Sequence, residues 1–131
     1  MVCYLIKINK SFIKGLPNLL FICSSGRGTD NIDIKSATHE TILVVNNPKV
    51  SVIFVAEHTS LLILGLAKNL LLNHFCVKNY NYSIRNTINT FDINQKTLCI
   101  IGLGSIGSKV SSIFSSVFGM KILAYDPYAS N

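Results

Sequence analysis

Acidic side chains are scarce in this sequence. Six Asp and Glu stand against twelve Lys and Arg, a formal net charge of +6. The excess does not come from a basic tract, because the basic residues are scattered from Lys7 to Lys121. A solvated, mildly basic surface is expected, with no nucleic-acid face. Charged residues of both signs make up only 14%, whereas apolar residues reach 49%. That balance excludes a disordered chain and supplies a core. Cysteine occurs at positions 3, 23, 76 and 99, but never as C-x-x-C. A metal site or a disulfide frame is therefore not expected. Cys23 and Cys99 lie inside apolar runs and read as small buried thiols of a reducing compartment. Internal repeats and low-complexity tracts are also lacking.

Mean hydropathy is high, +0.42, yet no long clean apolar run exists. Within residues 50–75 the chain is interrupted by Glu57, His58, Lys68 and Asn69, and the longest unbroken run is Leu61–Ala67. A membrane span needs about 18 apolar residues, so no membrane partner is expected. The N-terminal "MVCYLIKINK" is too short in apolar residues for a secretory signal. The chain reads as cytoplasmic. At 131 residues it is one domain at most, or a piece of something larger.

Strands are expected at residues 2–6, 18–24, 42–45, 96–101 and 120–125. A short helix within residues 9–15 ends at Gly15, and another runs through Ala37, its start capped by Asp30 or Asn31. A long helix is expected over 52–74. Its leucines wrap most of the circumference, which predicts burial in a domain or in an oligomer contact. Residues 76–95, Asn-rich with Tyr80, Tyr82 and Phe91 interleaved, read as an irregular crossing. Strands alternating with helices imply an α/β fold with parallel sheet.

The stretch "TLCIIGLGSIGSKV" carries the chemistry. A G-x-G-x-x-G is weak alone and gains force from context. Here an apolar strand precedes it. An amphipathic helix over 105–118 follows, with Ile106, Val110, Ile113, Phe114 and Val117 on one face and Ser108, Ser111, Ser112, Ser115 and Ser116 on the other. Gly119 stops it, and a second strand ends at Asp126, nineteen residues after Gly107. Each part has a physical task in a Rossmann-type dinucleotide site. Gly102 permits the tight turn, Gly104 lets backbone approach a pyrophosphate, and Gly107 lets helix and strand pack closely. The free N–H groups around Ser105 and Ile106 face the phosphates. Asp126 accepts ribose hydroxyls and repels a 2′-phosphate. Pro127 and Tyr128 follow it with no Arg, which favours NAD over NADP. The bland alternative is a strand–helix turn followed by an exposed Asp.

Several blocks together resemble the D-isomer-specific 2-hydroxyacid dehydrogenases, the family that includes phosphoglycerate dehydrogenase. They are "SSGRGTDNID" (24–33), "ILVVNNP" (42–48), "VAEHT" (55–59), "KTLCIIGLGSIG" (96–107) and "FGMKILAYDPY" (118–128). The resemblance implies two doubly wound domains and hydride exchange between NAD and a small 2-hydroxy or 2-keto acid. Residues 1–48 would be the end of a flavodoxin-like substrate domain, 49–95 an interdomain helix and crossing segment, and 96–131 the first βαβ unit of the NAD domain. The helix holding "VAEHT" would contribute to a homodimer contact. The loop at Ser25 and Gly26 would present amides to a substrate carboxylate, or be a plain strand-to-helix turn. Ser51 would lie near the substrate.

The sequence also departs from the family. Arg is frequent where Ser105 stands, Pro-Gly where Pro48-Lys49 stands, Asn at Ser51, and Gly at Thr41. Lys49 and Ser51 put substrate recognition in doubt. The family's catalytic Arg, Glu and His fall beyond the second Rossmann strand. His39, His58 and His74 match none of them, so no catalytic residue is assigned. The expectation is a partial oxidoreductase chain, inactive alone. A non-enzymatic NAD-binding module and a degraded gene product remain as alternatives.

Overall fold

The computed structural model describes residues 1–3 and 6–128. Packing divides the chain into two units, Met1–Ser51 and Val52–Asn131.

The first unit is a three-stranded parallel sheet of β1 (Val2–Cys3), β2 (Phe21–Ser24) and β3 (Leu43–Val45), in the order β1-β2-β3. Tyr4 and Leu5, part of the expected first strand, lie outside the described residues. Helix α1 (Lys10–Lys14) begins where the Asn9 side chain accepts from the Phe12 N–H and ends at Gly15. Helix α2 (Ile34–His39) is capped by Asp33, which accepts from Ser36 N–H at 3.0 Å. The expected caps, Asp30 and Asn31, are thus displaced by one turn. Asn31 is engaged elsewhere, its Nδ2 donating to the Ile6 carbonyl. The bonds from Ser36, and then the fields of Lys10 and Lys35, hold the Asp33 carboxyl below its ordinary range. Ile8, Ile13, Ile22, Ile32, Ala37 and Ile42 form the core.

The second unit opens with α3 (Val52–Ala67) and α4 (Leu70–Lys78). The single helix expected over 52–74 is instead two, meeting at 66°. The break has a local cause. Asn69 takes a left-handed conformation, φ 49°, which Asn tolerates better than most residues. The following segment then fastens the corner. Asn69 Nδ2 donates to the Asn89 carbonyl, Phe91 N–H to the Ala67 carbonyl, and Lys68 Nζ to Asp92 Oδ1. The bond from Lys68 and its charge lower the Asp92 carboxyl from its usual value. The supposed irregular crossing is therefore partly ordered. Helix α4 reaches Lys78, and a 3-10 helix spans Tyr82–Asn86.

Burial around the whole helix is also not observed. Only Ala56 and Ala67 are buried in α3, while Leu66 is 76% exposed and Leu71 of α4 is 84% exposed. Among the described residues no single helix is long and apolar enough to cross a membrane; the bent α3–α4 pair reaches that length only jointly.

Strands β4 (Thr97–Ile101) and β5 (Lys121–Tyr125) pair in parallel, joined by α5 (Ser105–Ser116). This is a βαβ unit whose core joins Ala56, Ala67, Ile93, Val110, Phe114 and Met120. Gly119, at φ 62°, closes α5, and Met120 N–H returns to the Phe114 carbonyl at 3.0 Å. Ser111, expected on the polar face, turns inward, and its Oγ is buried without a described partner. It stands next to Val110 and one turn from Phe114, so the buried stripe covers it.

One face of β4–β5 packs through Leu98, Ile100 and Ile122. The other stays open, with Ile101 at 84% and Tyr125 at 65% exposure. Cys99 lies on that face and is exposed, Cys23 is half-buried, and Cys76 is buried. An apolar strand run marks two faces that sheet layers usually cover. Here the helices of the unit cover one.

Thr41 holds a left-handed φ of 58° just before β3. A β-branched residue is strained there. Thr41→Gly relieves that strain and gives back part of the gain as unfolded-chain entropy. It is expected to raise stability by about 0.5–1 kcal/mol, read as a higher urea midpoint; a lower midpoint would contradict the assignment of strain.

Candidate functional site

The turn between β4 and α5 is built from backbone. Gly102 turns the chain at φ 94°, and its N–H donates to the Tyr125 carbonyl at 2.8 Å. The end of β4 is thus tied to the end of β5. Leu103 N–H then donates to Asp126 Oδ2 at 2.6 Å. Tyr128 N–H donates to Asp126 Oδ1 at 2.9 Å. The carboxylate is held by both ends of the loop pair and is half-buried.

Gly104 caps α5 in an extended conformation, without any side-chain hydrogen bond. The first amides of a helix have no acceptor one turn back, so Ser105, Ile106 and Gly107 begin α5 as donors beside the positive end of its dipole. Ser105 is exposed, and Ile106 and Gly107 are half-buried. The Ser108 hydroxyl donates to the Leu103 carbonyl at 2.9 Å and fixes the other side of the turn.

The glycines differ in what they require. A Cβ on Gly107 would stand 2.1 Å from the Gly102 oxygen and 3.3 Å from Ile100 Cγ2. No side chain fits there. A Cβ on Gly104 would meet nothing within 4 Å. Gly104 therefore keeps open a space that the protein itself does not fill. Gly102 is open likewise, and its positive φ is what demands glycine.

The structure therefore gathers Gly102, Gly104, Ser105, Ile106, Gly107, Asp126 and the adjoining Pro127 at one end of the second unit's sheet. Ser25 and Gly26 belong to the first unit. Their loop leaves β2 and is laced to the segment after β3, with Asn47 N–H donating to the Gly26 carbonyl at 3.0 Å and Asn46 Nδ2 to the Arg27 carbonyl at 2.7 Å. Ser24 Oγ closes the same loop on the Gly28 carbonyl. Ser51 is the last residue of the first unit and immediately precedes α3. Three participants went unnoticed in the sequence: the Leu103 amide, the Tyr128 amide and the Ser108 hydroxyl. The first could have been found, since a left-handed Gly102 after a strand swings the next N–H toward the neighbouring strand's end.

Residues 1–126 match the family described as D-isomer specific 2-hydroxyacid dehydrogenase, catalytic domain. The chain belongs to that family. Among relatives of the chain, D-3-phosphoglycerate dehydrogenase of Synechocystis sp. is 37% identical over 95% of it. The enzyme of the same name from Methanocaldococcus jannaschii is 38% identical over 93% of it. The chain spans only 22% and 23% of the lengths of these two relatives. Among solved structures, D-lactate dehydrogenase from Aquifex aeolicus, complexed with NAD and lactic acid, superposes with a TM-score of 0.84 at 36% identity. That match covers 95% of this chain and 37% of the other.

Two alanine substitutions separate packing from open space. Gly107→Ala must displace the Gly102 backbone, and a loss of about 3 kcal/mol is expected. Gly104→Ala, at φ −70° and in open space, should change stability by no more than about 0.5 kcal/mol. Urea melts of both variants check this. Equal losses would contradict the close approach.

Proposed function

We propose that this chain is the portion of an NAD-dependent D-2-hydroxyacid dehydrogenase that holds adenosine and pyrophosphate. Residues 1–48 are the end of its substrate domain, 49–95 the interdomain helix and crossing, and 96–131 the first βαβ unit of its NAD domain. The observation that carries the reading is the pairing of an unfilled space at Gly104 with a carboxylate fixed at the turn. The amides of Ser105 and Ile106 would hold the pyrophosphate at the start of α5, with Gly102, Gly104 and Gly107 clearing the approach. A carboxylate has about four lone-pair positions. The Leu103 and Tyr128 amides occupy two, which leaves two for the ribose hydroxyls. The charge of Asp126 would oppose a 2′-phosphate, and Pro127, in the turn after β5, supplies no cation.

When bound, the nicotinamide would supply the hydride chemistry. The substrate class is a small 2-hydroxy or 2-keto acid, supported by family membership and by the lactic acid complex of a relative. Ser25, Gly26 and Ser51 are the residues of this chain proposed to face it. The turn contributes glycines, Ser105, Ile106 and Asp126, none of which offers the proton donor and the carboxylate-binding cation that carbonyl reduction needs. The chain by itself is accordingly proposed to bind NAD without turning over a keto acid. The exposed leucines of α3 support a homodimer contact there, and the reading carries a cytoplasmic enzyme.

Calorimetric titration of the purified chain with NAD and NADP tests the proposal. NAD is expected to bind more tightly than NADP. Asp126→Ala should weaken NAD at least tenfold and narrow that difference, and Gly104→Ala should weaken NAD while leaving the melting curve in place. Equal NAD binding by all three proteins would refute the assignment.

A further inference from the structure

Four basic side chains far from the glycine turn in sequence line one groove of the first unit. Helix α1 presents Lys10 and Lys14, one turn apart; helix α2 presents Lys35 and His39, also one turn apart. All four border a groove of about 260 Å³, together with Ile13, Ser36 and Glu40. Like charges one turn apart repel on a helix surface. Lys35 faces the same groove as the Lys10–Lys14 pair and adds to the repulsion.

The nearby carboxylates make their hydrogen bonds elsewhere, and the Asp33 charge offsets only part of the field of Lys10 and Lys35. Asp33 caps α2, accepting from the Ser36 N–H at 3.0 Å and the Ser36 hydroxyl at 2.7 Å. Glu40 Oε1 faces His39 Nδ1 at 3.5 Å. Among the described residues, the ion pairs are His39–Glu40 and Lys68–Asp92, so Lys10, Lys14 and Lys35 have no carboxylate within pairing distance. Along the sequence the basic residues are scattered. In the fold, three of the twelve basic residues come to one place.

We propose that this groove binds a small multivalent oxyanion, such as a phosphate ester or a di- or tricarboxylate. Lysine ammonium groups act as point charges without the planar fork of Arg, so the site selects charge density over shape. The volume lies below the roughly 300–1,000 Å³ of pockets for drug-sized ligands, which restricts the occupant to a compact molecule. The groove belongs wholly to the first unit, and the proposal is independent of the nucleotide assignment.

Titration of the ¹⁵N-labelled chain with pyrophosphate, and separately with citrate, at constant ionic strength tests it. Saturable amide shifts are expected at residues 10–14 and 35–40. Lys14→Gln/Lys35→Gln should raise Kd at least tenfold, with the rest of the spectrum unchanged; the two single substitutions should each weaken binding should the double variant misfold. Binding of pyrophosphate alone would identify a phosphate ligand, and of citrate alone a carboxylate ligand. Shifts that chloride reproduces, shifts confined to residues 102–107, or an unaltered Kd in the variants would overturn the proposal.

Discussion

The Gly102 carbonyl stands where any side chain on Gly107 would have to go. That contact sets how closely α5 sits on β4, and the rest of the turn follows from it. With the helix start pressed against the strand end, Gly102 must turn through positive φ. The Leu103 amide then points toward β5, where Asp126 receives it. The open side of Gly104 is the complement of the same constraint: the backbone is crowded on one side of the turn and bare on the other. A larger residue at position 107 would loosen all of these relations together.

The second unit has one core face and one open face. Phe114, fully buried, joins α5 to the core shared with α3 and the sheet. Across the sheet, Ile101, Leu123 and Tyr125 are apolar and uncovered. A parallel sheet apolar on both sides is built for helices on both sides. The two phosphoglycerate dehydrogenases described above are about four times as long as this chain. The exposed leucines of α3 and α4 have the same character and support the proposed contact with a second copy.

Much of this was legible in the sequence where local chemistry decides. The βαβ unit, the stop at Gly119 and the short helix ending at Gly15 each rest on residues acting within one turn. So does the role of Gly107, because helix–strand approach is encoded in the spacing of the motif itself. What escaped the sequence depended on distant partners. The corner at left-handed Asn69 is fastened by residues 89–92, and no Gly or Pro in "LAKNLLL" marks a 66° bend. The Asp33 cap prevailed over Asp30 and Asn31 because Asn31 reaches Ile6 instead. Cys99 is exposed rather than buried, because an apolar strand does not reveal which of its faces is covered. The positively charged groove also could not be seen: Lys10 and Lys35 are neighbours only once α1 and α2 pack side by side.

Residue-resolved amide shifts on saturating the ¹⁵N-labelled chain with NAD test the central claim most directly. The account predicts the largest changes at Leu103, Ser105, Ile106 and Gly107, with the Leu103 amide still bonded to Asp126 and the residues of the first unit's Lys-lined groove unmoved. Changes that bypass residues 102–107 and fall elsewhere in the chain would contradict it.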